Sequence, residues 1–382
     1  MSTRQMPLSA GESVATDKKE NQKLVLVYQI GSLGDTIVSI PAYRAVRRHF
    51  GPGARIYVLH NAPPNGRASP HQVLDDSSLV NGAVTFQQYD GRSNWKTWVE
   101  VWIKLRRLKT DAVVYIAPGE RAPKPIARDK LFFRICGIRT LLGFHACDLD
   151  RLHARGSDGL PLPVSHEAIM RLERLEKDLP ADRAADMLPP LLRIPMEERD
   201  KARTWLEEQH PSGMTFAAVC PGANQPAKFW PMNRFEEVGR RLIAQGIEPI
   251  VIGGPAEREM GDRLLAAWSH GINAAGQFRV IESAALLSQC RFLVGLDTGT
   301  THLAAALGVP CVALYADRDP PGQWEPLGEG HILLRHSVPC GGCRVKECPV
   351  PCHPCMTGIS TEQVWAAILE INARSAPVAD IK

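Results

Sequence analysis

The stretch Leu24–Ile30, Leu-Val-Leu-Val-Tyr-Gln-Ile, is a nearly unbroken apolar run stopped at once by glycine. Apolar residues without polar alternation suit a strand covered on both faces, the condition of a parallel sheet. Parallel pairing requires a crossover, so a helix should follow directly. It does: from Thr36 to Phe50, Ile37, Ile40, Val46 and Phe50 recur at helical spacing, with Arg44, Arg47 and Arg48 toward the end favoured by the helix dipole. Pro41 is expected to kink this helix. Further strands are predicted at Arg55–Leu59, Ala83–Phe86, Asp111–Ala117 and Thr140–Phe144, separated by helices Trp95–Lys109 and Arg128–Cys136.

Between Asp148 and Arg193 the pattern becomes charged and proline-punctuated, with one helix, Ser165–Leu179. Alternation then resumes. Strands Thr215–Cys220, Glu248–Gly253, Arg291–Gly295, Cys311–Tyr315 and His331–Leu334 interleave with helices Asn233–Gln245, Glu257–Ser269, Ile281–Cys290 and Thr301–Gly308. A last helix, Ser360–Ala373, opens on the capping-box pattern Ser360-x-x-Gln363. The division is residues 1–22 as a disordered leader, 23–180 and 181–358 as two doubly wound α/β units, and 359–382 as closing helix and tail. A length of 382 residues accommodates two such units at about 150 residues each.

Composition excludes several classes. The net charge of +4 is too small for a general nucleic-acid binder. The leader holds no apolar run resembling an export signal, and Phe292–Ala316 is broken by Asp297, Gly308 and Pro310, so it does not suit a membrane helix. A cytoplasmic location is the expectation. The ten cysteines would then sit in a reducing compartment, as thiols or metal ligands rather than disulfides.

Open parallel sheets bind ligands outside the carboxyl ends of their strands, so the loops there are the place to look for chemistry. The first is Gly31-Ser32-Leu33-Gly34-Asp35, whose glycines permit close substrate approach and whose Asp35 can accept a proton; a tight turn with a helix-start acid is the plainer alternative. The second is Asp297-Thr298-Gly299-Thr300-Thr301-His302, where hydroxyls and unpaired N–H groups at a helix start suit a diphosphate. In the loop Cys220–Pro231, Lys228 has the reach for a phosphate, whereas Trp230 fits a core aromatic. Gly253-Gly254-Pro255-Ala256-Glu257 ends a strand in glycines with an acid suited to ribose hydroxyls or to a plain helix start. Arg121 and Arg128 follow a strand end and would suit a phosphorylated or acidic glycolipid at the cytoplasmic membrane face. Finally, Cys340, Cys343, Cys348, Cys352 and Cys355 crowd into sixteen residues, and four of them, Cys340, Cys343, Cys352 and Cys355, are candidates for zinc or iron, against a loop of free thiols.

The strings LVLVYQIGSLGDTIVSIPAYRAVRRHF, PGANQPAKFWP, GGPAE and VGLDTGTTHLAAALGVPCVALY together resemble glycosyltransferase family 9, best known for ADP-heptose:lipopolysaccharide heptosyltransferases. The resemblance runs from about Lys23 to the final helix. It implies a GT-B fold, two Rossmann-like domains facing a central cleft, with an acceptor held by the first and a nucleotide-sugar donor by the second. It implies inversion at the anomeric carbon with no cofactor required. It makes Asp35 the base and Gly34 a neighbour of the acceptor. Lys228 becomes the donor-phosphate lysine, Glu257 the ribose acid, and Asp297, Thr298, Gly299 and His302 the donor-sugar and diphosphate segment, with Asn224 at a further donor-contact position. The acceptor it implies is a lipopolysaccharide core or another glycolipid or phosphorylated saccharide, met at the inner membrane face.

Two alternatives stand beside this. Relatives that heptosylate a protein and carry cysteine-bound iron would make the terminal cysteines a metal site. An NAD-dependent oxidoreductase also uses two doubly wound units, but neither leading strand is followed by G-x-G-x-x-G.

Overall fold

The computed structural model of the chain describes residues 22–61, 70–74, 77–86, 95–210 and 213–374. The expected leader, apart from Gln22, lies outside the described residues, as does the tail after Arg374.

The first half runs β1 (Leu24–Gln29), α1 (Leu33–Val38), α2 (Ile40–Phe50), β2 (Arg55–Asn61), β3 (Ala83–Phe86), α3 (Trp95–Leu108), β4 (Ala112–Ile116), α4 (Pro123–Ile135) and β5 (Thr140–Leu142). The expected helix Thr36–Phe50 is thus two. Pro41 sits in the first turn of α2, and the break falls at Ser39, whose hydroxyl donates to the Asp35 carbonyl at 2.7 Å. α4 begins five residues earlier than expected, because Pro123 and Pro125 occupy its first turn, where a missing N–H costs nothing.

Four helices follow: α5 (Leu149–Leu152), α6 (Glu167–Leu175), α7 (Arg183–Asp186) and α8 (Met196–Gln209). α8 was not foreseen. Its sequence, MEERDKARTWLEEQ, buries only Ala202 and Leu206, so little apolar stripe marks it. Trp205 of α8 meets Phe278 edge-on at 5.0 Å.

The second half runs β6 (Thr215–Cys220), α9 (Met232–Ala244), β7 (Ile247–Val251), α10 (Arg258–Trp268), β8 (Ile272–Asn273), α11 (Val280–Leu287), β9 (Leu293–Leu296), α12 (Gly299–Ala306), β10 (Cys311–Tyr315), β11 (Ile332–Arg335), α13 (Pro354–Thr357) and α14 (Thr361–Arg374). The two-residue β8 is too short to leave a sequence signal. The capping box of α14 is formed: Ser360 N–H donates to Gln363 Oε1 at 2.8 Å, and Gln363 N–H to Ser360 Oγ at 3.2 Å.

Every strand pair is parallel. The first sheet has the order β3-β2-β1-β4-β5 and the second β11-β10-β9-β6-β7-β8. Counted from its leading strand, each winds outward in both directions, so the winding reverses between β1 and β4 and between β6 and β9. Ligands of doubly wound sheets bind at that reversal. The loops after β1 and β9 that carry Asp35 and Asp297 therefore lie at the two switch points.

The halves share an apolar core in which Ile37 and Tyr43 of the first join one cluster with Ala284 and Leu303 of the second. α14 belongs with the second sheet, where Val364, Ile368 and Ile371 cluster with Leu242 and Leu314. Among the described residues no helix is long and apolar enough to cross a membrane.

Candidate active site

The turn after β1 is built around Asp35. Gly31 adopts φ +130°, and a Cβ there would fall 2.2 Å from Asp35 Cγ, so only glycine lets the carboxylate fold back over the turn. Ser32 N–H donates to Asp35 Oδ2 at 2.8 Å and Ser32 Oγ to the same atom at 3.1 Å. The opposite oxygen, Oδ1, accepts from Arg171 Nη2 at 2.9 Å. Arg171, on α6, is buried; its Nη1 donates to the Asp35 carbonyl at 2.6 Å and to Ser39 Oγ, and its Nε to Glu167 Oε1 at 2.9 Å. Glu167, also fully buried, takes the Gly119 N–H at 2.7 Å. A buried guanidinium shared by two carboxylates is paired on both sides and geometrically locked. Neither Arg171 nor Glu167 could be singled out from sequence, because both lie in the charged connector. A run such as Glu167–Leu175 marks a helix, but nothing in it names the carboxylate its arginine meets.

Across the cleft, Lys228 Nζ lies 2.6 Å from Asp297 Oδ2, and His302 Nε2 is 3.6 Å from Oδ1. Burial alone would raise the Asp297 carboxyl; the Lys228 ammonium and the His302 ring overcome it and hold the group well below the usual carboxylate range. Thr298 is the N-cap residue of α12, and its Oγ1 is 3.6 Å from Cys220 Sγ at the end of β6. The Cys220 thiol is pushed up to about 11 by burial. Glu257 accepts the Gly254 N–H at 2.7 Å and lies against Gly222, just beyond β6. Asn224 is exposed on the same loop. Trp230 is buried and donates to the Ile359 carbonyl at 2.9 Å, the core role read from its sequence. Lys228, Glu257 and Asp297–His302 are thus gathered at one switch point.

The halves touch directly there. Gly34 of α1 lies against α12: a Cβ on Gly34 would be 3.5 Å from Gly299 Cα and 3.2 Å from His302 Cδ2. His166, preceding α6, accepts the Ala168 N–H at Nδ1 (3.1 Å), while its Nε2 is 2.9 Å from the Glu325 carbonyl, which fixes the proton on Nε2. Burial, helped by the charges of His302 and Arg171, pushes His166 down to about 4. Gln323 Nε2 donates to Glu167 at 3.3 Å. Glu120 pairs with Arg344 at 3.0 Å; its carboxyl is raised by burial and by Asp319, Glu167 and Asp35, against the pull of Arg344. Asp297 and His302 are nearly inaccessible. Two surface cavities of about 170 and 150 Å³ lie elsewhere, one beside α8 and one between α5 and α6.

Arg121 and Arg128 are drawn together by Asp129, buried on α4, at 3.0 and 2.7 Å. Arg128 remains largely exposed, so its charge faces solvent as well as Asp129. The terminal cysteines are not gathered into a tetrahedral set. Cys340, Cys343 and Cys352 are exposed, Cys355 is buried in the second core with its thiol raised by burial, and no three His, Cys, Asp or Glu side chains among the described residues are placed to hold a metal. The zinc or iron site, which the sequence offered against a loop of free thiols, is not assembled among these side chains. The loop is tied to its surroundings through its own carbonyls: the Arg155 guanidinium donates to the Gly341 carbonyl at 2.9 Å, and the Ala227 N–H, next to Lys228, to the Lys346 carbonyl at 3.0 Å.

Residues 164–353 match the sequence profile of glycosyltransferase family 9 (heptosyltransferase), a span that holds Lys228, Glu257 and Asp297 but not Asp35. Lipopolysaccharide heptosyltransferase 2 of Escherichia coli is 33% identical over 147 residues, which is 36% of this chain and 42% of that protein. That alignment spans less than half of the relative's length. Lipooligosaccharide heptosyltransferase 2 of Haemophilus ducreyi is 27% identical over 325 residues, 81% of this chain and 88% of that one. Among solved structures, a family 9 glycosyl transferase from Veillonella parvula superposes with a TM-score of 0.70 at 23% identity, covering 92% of this chain and 98% of the other. The fold is GT-B, with two Rossmann-like sheets.

Proposed function

The chain belongs to glycosyltransferase family 9, and from that premise we infer that it is an inverting glycosyltransferase moving heptose from ADP-heptose onto a hydroxyl of a lipopolysaccharide-core acceptor. Residues 23–180 take the acceptor and 181–358 the donor. The observation that carries this reading is the meeting of a β1-end carboxylate, Asp35, with the Lys228–Asp297–His302 cluster through the contact of α1 with α12.

Asp35 is the base. Its Oδ1 is held by Arg171 and its Oδ2 by Ser32, so the carboxylate is aimed before any acceptor arrives. As Asp35 takes the proton, the acceptor oxygen bonds to the anomeric carbon from the face opposite the diphosphate, and the bond from that carbon to the diphosphate oxygen breaks. The departing diphosphate carries its own negative charge, so it needs cations and N–H donors rather than an acid. Lys228 and the N–H groups of Gly299, Thr300 and Thr301, which open α12, supply them. Glu257 receives the ribose hydroxyls, Thr298 and His302 the donor sugar and diphosphate, and Asn224 the outer donor edge. Arg121 and Arg128 face the acceptor's acidic groups. The reading assigns the leaving charge to these donors and calls on no metal.

The test is mass spectrometry of the protein with ADP-heptose and matched UDP- and GDP-sugars, with and without a lipopolysaccharide-core acceptor. ADP-heptose alone should be turned over, and Asp35→Asn should slow transfer about 100-fold or more while keeping the donor's thermal shift. Turnover of none of the sugars, or loss of donor binding in Asp35→Asn, overturns the reading.

A further inference from the structure

α3 is apolar on two faces. Val101 and Leu105 are buried in the first half's outer core, with Thr97 on the same side. The opposite stripe, Trp95, Val99, Trp102 and Ile103, recurs at intervals of three and four residues and points to solvent, with Trp95 72% exposed. The stripe does not end with α3. Trp102 Nε1 donates to the Ile135 carbonyl of α4 at 3.4 Å, and α4 adds Leu131 and Ile135 at 59% and 61% exposure. Six large apolar side chains on two neighbouring helices thus form one open surface, more than scattered exposure accounts for.

Its rim is basic. Arg106 stacks over Trp102 at 5.8 Å, Arg107 follows on α3, and Lys124, Arg128 and Arg134 are exposed along α4. The acids on the two helices are Glu100 and Asp129, and Asp129 is buried and held by Arg121 and Arg128. Tryptophan prefers the boundary between lipid headgroups and acyl chains, and lysine and arginine are drawn to anionic headgroups. A protein partner would need acids to match the rim and a groove to receive the tryptophans, whereas a bilayer supplies both negative charge and apolar depth over a flat area.

We propose that the joined outer face of α3 and α4 is a docking surface for an anionic lipid bilayer, with Trp95, Trp102, Leu131 and Ile135 entering the interface and the arginines on its rim engaging headgroups. α4 starts directly after the β4 loop at the cleft, so Lys124 and Arg128 stand where the bilayer surface meets the acceptor side. This deepens the transferase reading by naming the surface that brings a glycolipid to Asp35, but its test uses neither donor nor acceptor, so the two fail separately.

The full chain is sedimented with vesicles of 70% phosphatidylethanolamine and 30% phosphatidylglycerol, and with pure phosphatidylcholine vesicles. Binding should favour the anionic vesicles about tenfold and weaken in 0.5 M NaCl. The double variant Trp95→Asp with Ile135→Asp should bind at least tenfold less at an unchanged melting temperature. Should that variant fail to fold, Arg107→Glu with Arg134→Glu carries the same expectation. Equal binding to both vesicles, undiminished binding by a folded variant, or a lipid-free dimer that Trp95→Asp dissolves, each overturns the proposal.

Discussion

Arg171 and Asp35 lie 136 positions apart in the chain, yet the guanidinium of one donates to both the carboxylate and the main-chain carbonyl of the other. The planar fork spans Asp35, Ser39 and Glu167 at once, which a lysine's single ammonium cannot do. Arg171→Lys should therefore cost about 3 kcal/mol of stability and lower kcat by tenfold or more with donor KM little changed, because the carboxylate loses its aim but not the donor its site. Melting curves and steady-state kinetics check both, and an unchanged kcat would remove Arg171 from the positioning of Asp35.

The approach of Gly34 to Gly299 leaves no room for a branched side chain. A Cβ on Gly299 would be 3.3 Å from Gly34 N and 3.4 Å from Leu33 Cδ2. Gly299→Val should wedge α1 from α12, costing about 1–3 kcal/mol and most of the activity, with Gly299→Ala milder. A Gly299→Val protein with wild-type melting temperature and rate would contradict the contact.

Lys228 and Asp297 form a nearly buried pair, so Lys228→Met should destabilise the protein by about 3–5 kcal/mol at pH 7. The sign of the pH dependence follows from the lowered Asp297 carboxyl. In the wild type it contributes stability above the unfolded value, about 3.9, and loses it as pH falls toward the lower folded value. In the variant the buried carboxyl is disfavoured when ionised. Urea titrations should show the gap between the two proteins narrowing below about pH 4.

His166 titrates in the opposite chemical sense with the same consequence. Its folded value near 4 lies below the ordinary 6.5, so the unfolded chain binds the extra proton first between these limits. Stability should fall as pH drops from 6.5 to 4, by about 3 kcal/mol, because the folded Nδ1 stays unprotonated to accept the Ala168 N–H while the unfolded imidazole takes up a proton. His166→Gln should flatten that window in a thermal melt series, and a slope identical to wild type would show that another group is responsible.

Much of the fold was legible because parallel strands carry their burial in their own residues. Leu24–Gln29 is apolar throughout because both faces are covered, and such a run needs no distant information to be recognised. α8 was missed for the converse reason, since its surface is charged and its only fully buried residues are Ala202 and Leu206. The loops after β1 and β9 were found because glycine, hydroxyls and acids at strand ends are local signatures. The four cysteines show the limit of that method: C-x-x-C spacing is suggestive, but solvent exposure of three and burial of the fourth depend on how the loop is tied to Arg155 and Ala227.

Sequence alone determined two wound sheets, the position of their switch-point loops, and the residue types waiting there, because apolar period and turn chemistry act over a few residues. Tertiary structure alone decided that Arg171 and Glu167 belong with Asp35, that α1 rests on α12 through two glycines, and that the apolar faces of α3 and α4 join. Those relations depend on which distant surfaces meet in three dimensions, and hydrogen-bond geometry and side-chain exposure are settled only at that meeting.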